Sequence, residues 1–252
     1  MPRCLRTVVG TTLCLLVLSV AGRAQQEQFA QANKFYEDRD PGSAIRLYEA
    51  ILARGEESAE LYFNLGNAYF KQGDLGHAIV NYLRAKRLAP GDDDIRHNLA
   101  FAKQFSTVQM EGVALNPVHS FMISLVDSYR LNALAWMASA VFVLFVLVLL
   151  VRFGLAINTS VVRVATAVLA VVLVAAVGLT TFKYRHEYLT PRAVIVAEEC
   201  PVMTGPSEQA DVELQGAPGL VVEILAEDAG FVEVQFENNR RGWVMRDLIA
   251  TL

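Results

Sequence analysis

Side chains able to do covalent chemistry are scarce and scattered along this 252-residue chain. Its thiols are Cys4, Cys14 and Cys200. The first two sit in an apolar N-terminal stretch, which leaves Cys200 without a disulfide partner and without companions at metal-ligand spacing. His119 has neither a carboxylate nor a second histidine at ligand spacing, and the histidine nearest to Cys200 is the distant His186. No paired carboxylates, Cys–His pair or serine motif marks a hydrolytic or group-transfer site. The sequence therefore points to binding, with no enzyme activity, cofactor or metal expected.

The elements that would carry such binding are set by where the apolar residues fall. They make up 54% of the chain against 19% charged residues, and they gather in a few long runs. That clustering marks membrane segments, since a globular core spreads its apolar residues along the sequence. A net charge of −4, with no basic block carrying interleaved aromatics, excludes nucleic acid as a partner. Residues 1–24 read as a secretory signal: Arg3 and Arg6 precede the apolar run Thr7 to Val20, and Gly22-Arg23-Ala24 forms a small-residue cleavage site. An uncleaved anchor helix is the other reading, and both export the chain from residue 25 onward. Leu13 before Cys14 is not the small residue that lipidation requires.

Between residues 25 and 110 the chain aligns with itself at the spacing that carries Phe35 onto Tyr69, Ala44 onto Ala78 and Tyr48 onto Tyr82. Ala32 falls on Gly66, so each copy has a small residue where two helices must approach. Asp40-Pro41-Gly42-Ser43 and Gly73-Asp74 supply turns inside the two hairpins, and Pro90-Gly91 ends the second. Asp92 to Asp94 then favour the start of a further helix, IRHNLAFAKQF, which reads as a cap. The set Tyr62, Leu65, Gly66, Tyr69, Ala78, Tyr82, Ala85 and Pro90 resembles the tetratricopeptide pattern.

That resemblance implies a concave groove, lined by the first helix of each repeat, that holds extended peptides. Its positions here are Phe29, Asn33, Tyr36, Glu60, Phe63, Asn64, Asn67, Phe70, His97 and Asn98. Asparagine suits the task because one amide both donates to and accepts from a peptide backbone. Solvated polar positions are the alternative. Phe29 stands where the carboxylate clamp of this family has a lysine, which argues against an acidic C-terminus as the ligand.

Leu131 to Val151 and Val164 to Phe182 are free of charge and long enough to cross a hydrocarbon layer of about 30 Å. The loop 152–163, flanked by Arg152 and Arg163, makes them an antiparallel hairpin with a cytoplasmic turn. The exported signal then places the repeats and the C-terminal region together in the periplasm of a bacterial inner membrane. Without ionisable groups in the spans, the hairpin reads as an anchor. Val118, Phe121, Met122, Leu125, Val126 and Tyr129 share one helical face, which predicts an interfacial amphipathic helix over 113–129.

From 190 to 252 the pattern shifts to short Val- and Ile-rich runs, AVIVA, LVVEIL, FVEVQF and GWVM, separated by turns. Thr204 to Ser207, Gly219 and Gly242-Trp243-Val244 followed by Leu248 resemble the bacterial SH3-type domain. The resemblance implies a small closed barrel that binds proteins or cell-wall peptides. Eleven acidic residues against four arginines disfavour anionic wall polymers. Trp243 fits a core or barrel-closing place better than a binding surface.

The expected whole is a multidomain membrane protein: all-α tetratricopeptide hairpins, two transmembrane helices and an SH3-like all-β barrel. That order of parts, around NLGNAYFKQGDLGHAIVNYLRAKRLAPGDDDIRHNLAFAK, resembles the BatE proteins of the Bacteroides aerotolerance family. The resemblance implies a non-enzymatic scaffold in a stress-related complex. Its partners would be membrane-anchored von Willebrand factor A-domain proteins and, through them, a MoxR-type ATPase. A peptidoglycan-binding sensor, or the targeting subunit of a wall enzyme, stays open as the alternative.

Overall fold

The computed structural model describes residues 26–106, 121–122, 125–157, 159–236 and 238–252. The signal expected over 1–24 lies outside them. So do residues 113–120 and 123–124 of the expected interfacial helix over 113–129, of which residues 121–122 and 125–127 are helical.

Five helices come first: α1 (26–37), α2 (Pro41–Leu52), α3 (Ala59–Gln72), α4 (Leu75–Leu88) and α5 (Asp93–Phe105). Each start after α1 is fixed by a side chain that accepts a free backbone N–H of the first turn. Asp40 accepts from Ser43 N, Ser58 from Leu61 N, Asp74 from His77 N, and Asp92 from Asp94 N and Ile95 N. The helices pair as hairpins around Ala32, Ala44, Tyr48, Ile51, Leu61 and Leu65, then Ala78, Tyr82, Leu99 and Ala102. Gly66 is required at the crossing of α3 and α4, because a Cβ there would lie 2.8 Å from the Tyr82 ring.

The next two helices are long and apolar enough to cross a membrane. α6 (Leu131–Leu149) runs on through a π-helical turn to Gly154, and α7 (Ser160–Tyr184) through another to Leu189. They pack against each other and expose most of their apolar surface, including Trp136, Phe142, Val161 and Val174. Ser139, Thr166 and Thr180 return their hydroxyls to the carbonyls of Ala135, Val162 and Ala176, as apolar surroundings demand. The connection is shorter than the expected loop 152–163, and Arg152 and Arg163 sit on helices. Hydropathy locates the apolar stretch, whereas backbone hydrogen bonding carries the helix past the first charge.

The C-terminal region is a seven-stranded antiparallel sheet: β1 (Arg192–Ile195), β2 (Cys200–Met203), β3 (Val212–Gly216), β4 (Val221–Asp228), β5 (Phe231–Gln235), β6 (Arg241–Met245) and β7 (Ile249–Thr251). Its order is β3-β2-β6-β5-β4-β1-β7. This corrects the expected closed barrel, since no pairing joins β3 to β7 among the described residues. The period of two sends alternate side chains to opposite faces. Ala193, Ile195, Val222, Val232, Val234 and Val244 turn into the sheet's own core. Val194 and Val221 turn the other way and, with Ala250 and Leu252, pack on Ile79, Val80 and Ala102 of the helices. Helix α4 thus covers the outer face of β1 and β7, opposite the sheet's own core.

That contact is not expected from the sequence, which reads the hairpins and the sheet as separate modules. A Cβ on Gly76 would stand 2.5 Å from Val196 Cα, so α4 presses on the end of β1. Arg84 donates to Thr251 O at 2.7 Å, and Ser106 donates to Pro218 O at 3.0 Å. The segment before α6 joins the same body. Lys86 pairs with Asp127, Arg96 donates to Ser128, and the buried Lys183 of α7 donates to Val126 O at 3.1 Å.

Candidate functional site

The first helices of the hairpins, α1, α3 and α5, carry the asparagines at a regular interval, and the structure bonds them in pairs. Tyr48 of α2 donates its hydroxyl to Asn33 Oδ1 at 2.6 Å, and Asn64 Nδ2 donates to the same oxygen at 3.1 Å. One repeat later, Tyr82 donates to Asn67 Oδ1 at 2.7 Å and Asn98 Nδ2 donates to it at 2.9 Å. An oxygen that receives two donors fixes the orientation of its amide. The Nδ2 groups of Asn33 and Asn67 and the Oδ1 groups of Asn64 and Asn98 keep no further bond among the described residues. The half-buried row therefore offers a donor and an acceptor in each repeat.

The aromatic positions repeat as well. Phe29 packs tilted on Tyr48 at 5.8 Å between ring centroids, and Phe63 on Tyr82 at 6.0 Å. Burial pushes the hydroxyls of Tyr48 and Tyr82 well above the usual phenol range, so both remain donors at neutral pH. Tyr36 lies under the Lys71 ammonium, 4.3 Å from its ring centre, while Lys71 donates to Tyr36 O. Glu60 and His97 are exposed and take no part in these pairs.

Residues 29–93 match the tetratricopeptide-repeat family. The match covers the two hairpins and ends as α5 begins. No curated protein matches the chain.

The tetratricopeptide repeats thus bring Asn33 to Asn64 and Asn67 to Asn98, and set Phe29 and Phe63 behind them. Phe70 goes elsewhere. It joins Phe101 and Phe105 of α5 in a trio with ring centroids 5.1 to 5.7 Å apart. Phe101 is 45% and Phe105 53% exposed. Neither is among the groove positions expected from the sequence. The signal is present, because Phe101 lies beyond Asn67 at the interval that separates Asn67 from Asn33. Tyr48 and Tyr82 read from the sequence as packing residues, although their hydroxyls orient the amides.

Elsewhere the structure offers little reactive chemistry among the described residues. No three His, Cys, Asp or Glu side chains gather as metal ligands there. Cys200 is fully buried, and burial, then the nearby Asp247, raises its thiol to about 11. It is protonated at neutral pH and a weak nucleophile. Trp243 is half-exposed beside the buried Gly242 and Val244, facing Met203 where β2 joins β6, and is not part of the sheet's core cluster.

Proposed function

We propose that this chain is a non-enzymatic scaffold, anchored in a bacterial inner membrane by α6 and α7, that holds extended segments of partner proteins in its tetratricopeptide groove. The repeated amide row carries this reading. Asn33, Asn64, Asn67 and Asn98 are held by bonds to one another and to Tyr48 and Tyr82, with one donor and one acceptor left over in each repeat. An extended backbone presents the same alternation of carbonyl and amide groups. Because the amides are already oriented, little side-chain entropy is lost on binding. Phe70, Phe101 and Phe105 extend the row with an apolar end for a bulky side chain.

The C-terminal sheet serves on this reading as an SH3-type module that braces the groove and adds a second contact. The docking of α4 on β1 and β7 supports a single rigid periplasmic unit. The likeness to the aerotolerance family makes membrane-anchored von Willebrand factor A-domain proteins, with a MoxR-type ATPase behind them, the partners to look for first.

Mild crosslinking in intact cells and then purification in detergent tests the proposal. The native chain is compared with Asn64→Ala/Asn67→Ala at equal membrane abundance. Specific membrane proteins recovered with the native chain and lost from the variant are the expected result. Equal recovery from both would remove the groove as the working surface. Recovery of peptidoglycan fragments in place of proteins would replace the scaffold with a wall-binding sensor.

A further inference from the structure

The last turns of α7 are arranged the wrong way round for water. Lys183 is buried, donates to Val126 O at 3.1 Å and pairs with Glu187 at 2.5 Å. Tyr184, Tyr188 and Leu189 of the same turns are exposed, and the two tyrosines stack with ring centroids 5.6 Å apart. The segment before α6 repeats the arrangement. Val126 is buried and Asp127 turns to Lys86 of α4, while Phe121, Leu125 and Tyr129 are exposed.

These six outward residues are 42% to 62% exposed. Water selects the opposite pattern. Large apolar side chains leave it first, and taking an ion pair inside carries a desolvation cost. Single exposed apolar residues are ordinary, but a concentration of them marks a contact surface. The bond from Lys183 to Val126 O joins the two segments, so both rows sit at the same end of the apolar hairpin.

We propose that the two rows form a seat in the headgroup region of a phospholipid bilayer, which holds the helices and sheet on the membrane surface. The seat rests on the membrane reading of α6 and α7, and continuity with those helices names lipid as its occupant. Tyr129, Tyr184 and Tyr188 suit that boundary, where a ring is buried and its hydroxyl stays wet. Arg130 and Arg185 are exposed beside them, and their long stems let the cations reach the level of lipid phosphates. The sequence expects an interfacial helix over 113–129, and the seat adds the end of α7 to it. Lys183, Lys86 and Arg96 bond the segment before α6 to the rest of the protein. A body so tied and so seated does not swivel on its anchor, and the asparagine row keeps one orientation to the membrane.

The test uses the full-length chain in nanodiscs whose lipids carry bromine either close to the headgroup or near the middle of the acyl chains. Bromine quenches tryptophan emission on contact. Trp136 and Trp243 are the chain's two tryptophans, so Trp243→Phe leaves Trp136, exposed on α6, to report the anchor. With both replaced by phenylalanine, Leu125→Trp and Tyr188→Trp report the two rows. Both are expected to lose emission with bromine close to the headgroup and to lose little with bromine at mid-chain. A variant that neither lipid quenches, while Trp136 is quenched, overturns the seat and leaves the anchor. Crosslinks from that position to another protein would then give the surface to a protein contact. An unquenched Trp136 ends the membrane reading, and the seat with it. Both substituted positions are exposed, so the variants keep the fold, which circular dichroism verifies.

Discussion

Asn98 donates its side-chain amide to Asn67 at 2.9 Å, and Asn64 does the same to Asn33 one repeat earlier at 3.1 Å. In both, a buried tyrosine supplies the second donor to the same oxygen. The groove is thus ordered by a small unit that the sequence states twice: a phenylalanine, an asparagine, a tyrosine and the asparagine of the next helix.

Removing one hydroxyl tests whether the unit acts as a whole. Tyr82→Phe keeps the ring in its hole beside Gly66 and frees Asn67 to turn. The expected loss in stability is about 1 kcal/mol, the net worth of a typical hydrogen bond, read by denaturant unfolding. A cycle with Asn98→Ala should show coupling of at least about 0.5 kcal/mol. Strict additivity would mean that the two bonds to Asn67 are independent.

The contact between helices and sheet has its own probe. Gly76→Ala places a Cβ 2.5 Å from the backbone of Val196, which has no flexible tip to move aside. Overpacking of this kind costs about 1–3 kcal/mol. Hydrogen exchange should quicken in β1 and β7, whose outer faces α4 covers, while β5 and β6 keep their protection. Unchanged exchange in β1 would show that the sheet does not depend on the array.

His77 and Asp74 give the start of α4 a pH dependence. The bond to Asp74 is the main cause that lifts the His77 imidazole above its ordinary value of 6.5, with further support from Glu49, partial burial and Arg84 acting against it. Partial burial pushes Asp74 upward, but the side-chain and backbone bonds of His77 outweigh it and bring it below 3.8. The histidine contribution is full below pH 6.5 and is lost as pH rises through the raised value. The aspartate contribution is full above pH 3.8 and is lost as pH falls through the lowered value. The pair is therefore complete between these two ordinary values. Proton NMR titration of His77 should show the raised value, and Asp74→Asn should lower it; no change in that variant would assign the shift to another neighbour.

Cys200 should resist alkylation in the folded protein. Its thiol is fully buried and raised to about 11, so the reactive thiolate is rare at neutral pH. Peptide mapping after iodoacetamide at pH 8 is expected to find Cys200 unmodified until denaturant is added. Rapid modification without denaturant would reveal an opening of the sheet at β2.

The features legible in the sequence are those that depend on near neighbours. Asp40 and Asp74 cap helices because their carboxylates reach a backbone N–H three residues on. The repeat is visible because Gly66 and Tyr82 must fit each other within one hairpin, and the apolar runs of α6 and α7 are visible from composition alone. The asparagine positions can be read in the same way, but not the bonds between them, since those join neighbouring repeats. The tertiary structure alone decided which faces meet. Arg84 bonds to Thr251, Ser106 to Pro218 and Lys183 to Val126, and α4 takes the outer face of β1. Periodicity marks a face as apolar without recording its partner. It is that choice of partner that brings Arg84 of α4 beside Arg192 of β1.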